Sequence, residues 1–475
     1  MAIARNTSYL TLAFIIQKIL VFLYIPIIAR NIGTEMLGKY FFALSFTTIF
    51  SIFIDAGLNP ILIRETAKYK DKANKYINAV LTLKFFFSFV TLFAVWIITN
   101  ILGFDFYTRS LIYIASIVML FDSFTLNFYA LLRSRQILKY ESFGVIGYQI
   151  LTVSLGVMVL LTTKSVGMLI ACLAIASFAN FIYSGYWAIK ITKIRIKFIS
   201  DKKFFKYLAM SALPFLLAGI FNRVYTHIDI VLISKLIGDA YTGWYGVANR
   251  LTFSLQFIPA AFIAAIYPAM SSYFEHSKEK LKEISEKSII YLMFIIFPIS
   301  FGAIALGREI ILFFYGNKFE NSIMPLQLLM VSLIFVFLYY PIGSLLNASN
   351  RQKMNTANMG IAMAVNVALN FILIPKFYLI GAATASIASQ FLMFIFGLYQ
   401  ANKIVKFNKK LLITKFVQHI ITVSIMAAGV FFAKQFINWM ILIPTSAVFY
   451  FYFLYLIGGI SKQDISKIIY SIRRS

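Results

Sequence analysis

The sequence predicts an all-α integral membrane protein of about fourteen transmembrane helices. Three observations predict it. Hydrophobic residues make up 61% of the 475 and charged residues 13%, with a mean hydropathy of +0.83, whereas soluble domains carry roughly 25% charged residues. Apolar runs of the length that crosses a bilayer, about 20 residues, recur from one end of the chain to the other. The 44 Lys and Arg, against 17 Asp and Glu, sit mostly in short connectors between those runs.

Backbone polar groups have no water to bond in hydrocarbon, so each run must close its own hydrogen bonds as a helix. The spans fall at 7–29, 37–59, 77–100, 108–131, 142–162, 166–189, 207–233, 240–267, 287–306, 322–347, 355–375, 379–400, 411–433 and 437–458. Pro26, Pro214, Pro259 and Pro298 lie within or at the ends of spans and mark kinks. Alternate connectors differ in charge: about 31 Lys and Arg fall on the side holding both termini and about nine on the other. The positive-inside rule then puts both termini in the cytoplasm, with the chain in the cytoplasmic (inner) membrane. Placed this way, the net charge of +27 orients the protein and does not point to nucleic acid. The lone Cys172 excludes an intramolecular disulfide. The start MAIARNTSYL runs straight into an apolar segment with no small-residue cleavage site, and reads as a first span.

An internal repeat organises the spans. Ile28-Ala-Arg30-Asn-Ile32-Gly33, with Gly38-Lys-Tyr40 and Ala43, recurs as Ile233-Ser-Lys235-Leu-Ile237-Gly238, with Gly243-Trp-Tyr245 and Ala248. Both copies start on the same face, so the repeats are parallel, a two-lobed plan that places cargo between lobes. The predicted organisation is two pseudo-symmetric six-helix lobes, 1–200 (helices 1–6) and 201–405 (helices 7–12). Residues 406–475 add helices 13 and 14 and a short cytoplasmic tail. The basic connector 190–206 is the natural boundary.

Charges inside spans carry the functional reading, because each costs roughly 2.5–3.5 kcal/mol at the bilayer centre. Lys18 lies near the middle of span one, and the repeat offset carries it onto Arg223 in span seven. Arg250 lies ten residues into span eight, and its planar fork suits phosphate or carboxylate oxygens. The plainer account is that each packs against a buried acid. Lys84 is about seven residues inside span three, within snorkelling reach of the cytoplasmic face. Asp55 is close enough to the interface to cap the next segment, and Asp122 is the expected counter-charge for Lys84. Lys18, Arg223, Arg250, Lys84 and Asp55 are the candidate substrate-binding residues. Asp229 reads as a counter-ion, a proton carrier or a metal-ion ligand. Asn366 and Asn370 share one helix face, as helix glue or as oxygen ligands of a small cation together with Asp229.

No catalytic constellation appears. His227, His276 and His419 lack metal-ligand spacing, and there is no Gly-rich phosphate loop for an ATPase. The connectors on the outer side are too short for a sugar-transferring domain, so a transporter is expected and not an enzyme.

The run Gly33…Leu37-Gly38-Lys-Tyr40-Phe-Phe-Ala43-Leu-Ser45, followed by Ile54-Asp55-Ala-Gly57-Leu-Asn59 and Arg64-Glu65, resembles the start of O-antigen and related polysaccharide flippases. These belong to the multidrug/oligosaccharidyl-lipid/polysaccharide exporter superfamily, which includes lipid II flippases. The resemblance implies flipping of a polyprenyl-diphosphate-linked oligosaccharide by alternating access, for cell-surface polysaccharide such as the O-antigen of lipopolysaccharide. It implies membrane lipids and a polysaccharide polymerase machinery as partners, and Na+ or H+ as the coupling ion with no other cofactor. Lys18 and Arg250 match cavity cations of the lipid II flippases, and Tyr24 replaces a further one. Asp229, Asn366 and Asn370, with Ser386, match sodium ligands in some relatives, Asn370 standing where those carry an acid. The competing readings are a multidrug exporter of the same superfamily, which predicts acid-lined cavities, and a membrane glycosyltransferase or polysaccharide polymerase.

Overall fold

The computed structural model describes residues 2–460, with side chains from Tyr9 onward. Arg5 and the basic tail at 462–474 therefore lie outside the described side chains. The helices are α1 (Ala2–Asp55), α2 (Leu58–Lys68), α3 (Ala73–Ile101), α4 (Phe106–Ser134), α5 (Lys139–Thr162), α6 (Val166–Thr192), α7 (Lys202–Leu236) and α8 (Asp239–Ser254). They continue with α9 (Phe257–His276), α10 (Lys278–Ala305), α11 (Gly307–Tyr315), α12 (Ile323–Ala348), α13 (Gln352–Val405), α14 (Lys409–Ala433) and α15 (Trp439–Leu456). No strand occurs among the described residues.

Twelve long helical segments among the described residues are apolar enough to cross a membrane, and two of them must cross twice. Helices α1 and α13 each contain 54 residues. At 1.5 Å per residue that is about 81 Å of straight helix, far beyond a hydrocarbon core of about 30 Å. Gly33 (φ 78) breaks α1 and Tyr378 (φ 53) breaks α13, each into two arms. Fourteen crossings result, as the hydropathy pattern predicts. Pro26, Pro214 and Pro298 sit inside α1, α7 and α10. Pro259 falls in the first turn of α9, where its missing N–H costs little. Two short helices escaped the hydropathy reading: α2, after span two, and α11, between α10 and α12. Both are shorter than a crossing requires.

The chain forms two compact units, 1–246 and 247–475. In the first, α7 packs on α1, although the repeat groups α7 with the helices that follow it. The reason lies in the repeat itself. Gly33 and its counterpart Gly238 both have positive φ, 78 and 110, a conformation open to glycine at little cost. Each turn launches a helix whose fifth residue on, Gly38 or Gly243, meets the other copy. A Cβ on Gly38 would clash with the Asp239 carbonyl, and one on Gly243 with the Thr34 carbonyl. The missing side chains let the second arm of α1 and the start of α8 touch backbone to backbone.

A second cluster closes the base of this unit. Leu58, Ile61 and Leu62 of α2 pack with Ile77 and Val80 of α3, Phe128 and Leu131 of α4, and Leu208 and Ala212 of α7. The predicted linker is no free connector here: after the left-handed end of α6 at Lys193, residues 195–199 run along α3, bonded to Asn74, Asn78 and Thr82.

In the second unit, α14 and α15 dock on α10 through a buried ring cluster. His419 stacks on Phe297 at 5.4 Å and 13°, and its Nδ1 lies 2.6 Å from the Tyr450 hydroxyl. Its Nε2 is buried without a partner. Tyr450→Phe leaves both ring nitrogens unsatisfied and is expected to cost about 1–3 kcal/mol of stability. A melting curve of the purified protein checks this, and an unchanged midpoint would contradict it.

Candidate functional site

Two cations of the first unit, Lys84 and Arg223, gather around one acid, Asp55. Asp55 ends the second arm of α1, and Lys84 lies on α3 opposite it. Lys84 Nζ is 2.8 Å from Asp55 Oδ1, with side-chain exposures of 0% and 14%. The same ammonium donates to the Ser123 carbonyl of α4 at 2.8 Å. Lys84 is thus fully buried and does not snorkel. Distance along the helix suggested an escape to the interface, but its face of α3 turns inward, where Asp55 and a carbonyl offset its desolvation.

Two further expectations change with it. Asp122 does not neutralise Lys84: its Oδ1 accepts from the Ser177 hydroxyl of α6 at 2.7 Å. Asp55 does not cap α2, whose N-cap is Gly57 with no side-chain bond.

Arg223, on α7, is partly buried and within electrostatic reach of both Asp55 and Lys84. Its Nη1 lies 3.5 Å from the Thr48 carbonyl of α1, a weak contact at best. Two cations therefore share one carboxylate, and the cluster keeps a net positive charge inside the helix bundle. Lys18 lies partly buried on the first arm of α1 in the same unit, and Arg250 partly buried on α8 in the second unit. The structure brings Lys84, Asp55 and Arg223 together and assigns Arg250 to the other unit.

Asp229 is buried, and its Oδ2 accepts from the Tyr245 hydroxyl at 2.8 Å. Tyr245 belongs to the second copy of the repeat, and nothing in its spacing announced that role. In the second unit Asn366 and Asn370 are fully buried, with Asn370 Nδ2 donating to Asn366 Oδ1 at 3.1 Å. Asn366 Nδ2 is buried without a partner, and Ser386 on the second arm of α13 is buried as well. Amide and hydroxyl oxygens are donors that hard cations accept. Among the described residues no three His, Cys, Asp or Glu converge as for a metal ion, so a cation in that unit would lean on neutral oxygens.

Residues 3–274 match the family model described as polysaccharide biosynthesis protein, and residues 214–372 match MatE. The chain is 23% identical over 393 residues to the capsular polysaccharide biosynthesis protein CapF of Staphylococcus aureus, covering 82% of this chain and 97% of the relative. In fold it is similar to the lipid II flippase MurJ in an inward closed conformation, with a TM-score of 0.77 at 16% identity, over 94% of this chain and 97% of that one. It is also similar to an inward-facing multidrug resistance MATE family transporter of the MOP superfamily, with a TM-score of 0.67 at 14% identity, over 82% and 96%. At such identities the two structures speak for the fold.

Proposed function

The chain belongs to the polysaccharide biosynthesis protein family, and from that premise we propose that it flips a polyprenyl-diphosphate-linked oligosaccharide across the cytoplasmic membrane. The observation that carries the reading is the net-positive cluster of Lys84 and Arg223 around Asp55 within an apolar helix bundle. A diphosphate cannot enter hydrocarbon unaided, and fixed cations offset the loss of its hydration. Lys84 is fully engaged and holds Asp55 in place; Arg223, less buried and weakly held, is the cation free to turn to a phosphate. Lys18 adds a cation within the first unit, and the second unit carries its own in Arg250. The lipid tail stays in the bilayer while the headgroup moves by alternating access. Both termini face the cytoplasm in this reading, and a polysaccharide polymerase machinery receives the product. Coupling to Na+ or H+ rests on Asp229 in the first unit and on Asn366, Asn370 and Ser386 in the second.

The MatE match supports a second reading, an exporter of organic cations. A positive cluster disfavours such cargo by direct repulsion.

Lys18→Ala, Arg223→Ala and Arg250→Ala are each expected to lower surface-polymer export at least about tenfold, a loss of 1.4 kcal/mol in transition-state terms. The amount of protein in the membrane stays at the wild-type level. Export is scored in cells, and translocation of a fluorescent polyprenyl-diphosphate sugar in proteoliposomes. Wild-type activity in all three variants rules out a role for these cations. Uptake of organic cations without sugar-lipid translocation selects the exporter.

A further inference from the structure

The connector between α6 and α7 contains Lys193-Ile-Arg195-Ile-Lys197-Phe-Ile199. It lies against a polar stripe on α3, Asn74, Asn78 and Thr82, spaced four residues apart and so on one helix face. Asn74 Oδ1 accepts from the Arg195 N–H at 3.0 Å. Asn78 Oδ1 accepts from the Lys197 N–H at 3.0 Å, and its Nδ2 donates to the Arg195 carbonyl at 2.8 Å. Thr82 Oγ1 accepts from the Ile199 N–H at 3.3 Å. Every second residue bonds α3, the period of an extended strand.

The side chains sort by chemistry. Ile194 is buried in the cluster at the base of the unit. The Phe198 ring packs edge-on to Phe85 of α3 at 5.5 Å, and Phe85 in turn meets Phe89. Ile196 and Phe198 remain 51% and 75% exposed, continuing the exposed apolar row of Phe85, Phe86 and Phe89. Lys193, Arg195 and Lys197 are all exposed. Arg195 and Lys197 thus stand on backbone bonded to α3, with Lys193 beside them at the left-handed end of α6, where the apolar surface of α3 begins.

We propose that this strap is a built binding site for anionic phospholipid headgroups of the surrounding leaflet. The three cations meet headgroup phosphates, and Ile196 and Phe198 sit in the acyl boundary beside the α3 aromatics. A loose basic loop orders itself at each binding event, whereas the strap is ordered by α3 on folding and meets the headgroup already set. The site is separate from the cation cluster and stands whatever cargo the protein moves.

Native mass spectrometry of the full chain, offered phosphatidylglycerol against phosphatidylcholine, tests it. The wild type is expected to retain phosphatidylglycerol preferentially. The variant with Lys193→Gln, Arg195→Gln and Lys197→Gln is expected to lose that preference by on the order of 100-fold, as three charges near a membrane surface imply. Asn74→Ala with Asn78→Ala keeps every charge but frees the strap, and is expected to weaken retention several-fold. Lys278→Gln, Lys280→Gln and Lys282→Gln remove as many charges from α10 and are expected to change nothing. Equal losses from the strap and α10 variants, or full retention after the two Asn→Ala changes, overturn the proposal. Retention of a polyprenyl diphosphate but not of phosphatidylglycerol overturns the choice of lipid.

Discussion

Lys84→Met is expected to destabilise the protein by about 3–5 kcal/mol, the usual cost of stripping one partner from a buried ion pair. Met fills nearly the same space, so the loss is electrostatic and not a cavity. The Asp55 carboxylate, 14% exposed, is left without its 2.8 Å partner. The Ser123 carbonyl also loses a donor. Arg223 remains within electrostatic reach of Asp55. The variant is therefore expected to draw Arg223 onto Asp55 and to lower export beyond what the loss of folded protein explains. Lys84→Met combined with Asp55→Leu removes both charges and is expected to recover most of the stability. It also frees Arg223, so export recovers further than in either single variant. A double-mutant cycle on denaturation of the purified protein, with export per folded molecule alongside, measures both effects. Additive losses across the cycle would show that the two residues do not act as a pair.

The second large effect is expected at the crossing of the repeats. Gly38→Ala places a methyl against the Asp239 carbonyl, and Gly243→Ala places one against the Thr34 carbonyl. Backbone in a helix cannot step aside as a side chain can, so the helices must part, and overpacking of this kind costs about 1–3 kcal/mol or more. Gly219→Ala is the internal contrast, since its Cβ would meet the end of the flexible Ile52 side chain. Transport is expected to fall at least about tenfold, or 1.4 kcal/mol, in either crossing variant and to stay near wild type in Gly219→Ala. Equal activity in all three would remove the crossing from the working parts of the protein.

The crossings themselves were legible because hydrocarbon imposes one rule on every span: satisfy the backbone internally and stay apolar for about 20 residues. The repeat was legible too, since glycines at positive φ leave few substitutes, and Gly33 and Gly238 recur in register. Lys84 was not. Its depth can be counted along α3, but counting does not reveal which face turns inward or that Asp55, from another helix, waits there. With Asp55 in that part, Asp122 is held instead by its neighbour Ser177. Asn74, Asn78 and Thr82 are silent in the sequence for a different reason. Polar residues near a span end look like ordinary interface residues, and only the chain lying across them shows their use. Pairings between elements decide such sites, and a single sequence carries no record of them.

The contact at Gly38 and Gly243 also bears on ancestry. Position 38 of one copy touches the residue equivalent to 34 in the other, and position 243 returns the same contact to Thr34. That reciprocity is the mark of an isologous interface between two identical subunits. In a homodimer of half-length chains one mutation to glycine would have opened both sides of the contact at once, so such a junction can arise in a single step. A duplication and fusion would then have left the two halves free to diverge, and equivalent places do differ, as at Lys39 and Trp244. The glycines were not free, because each is held to its size by the other copy's backbone.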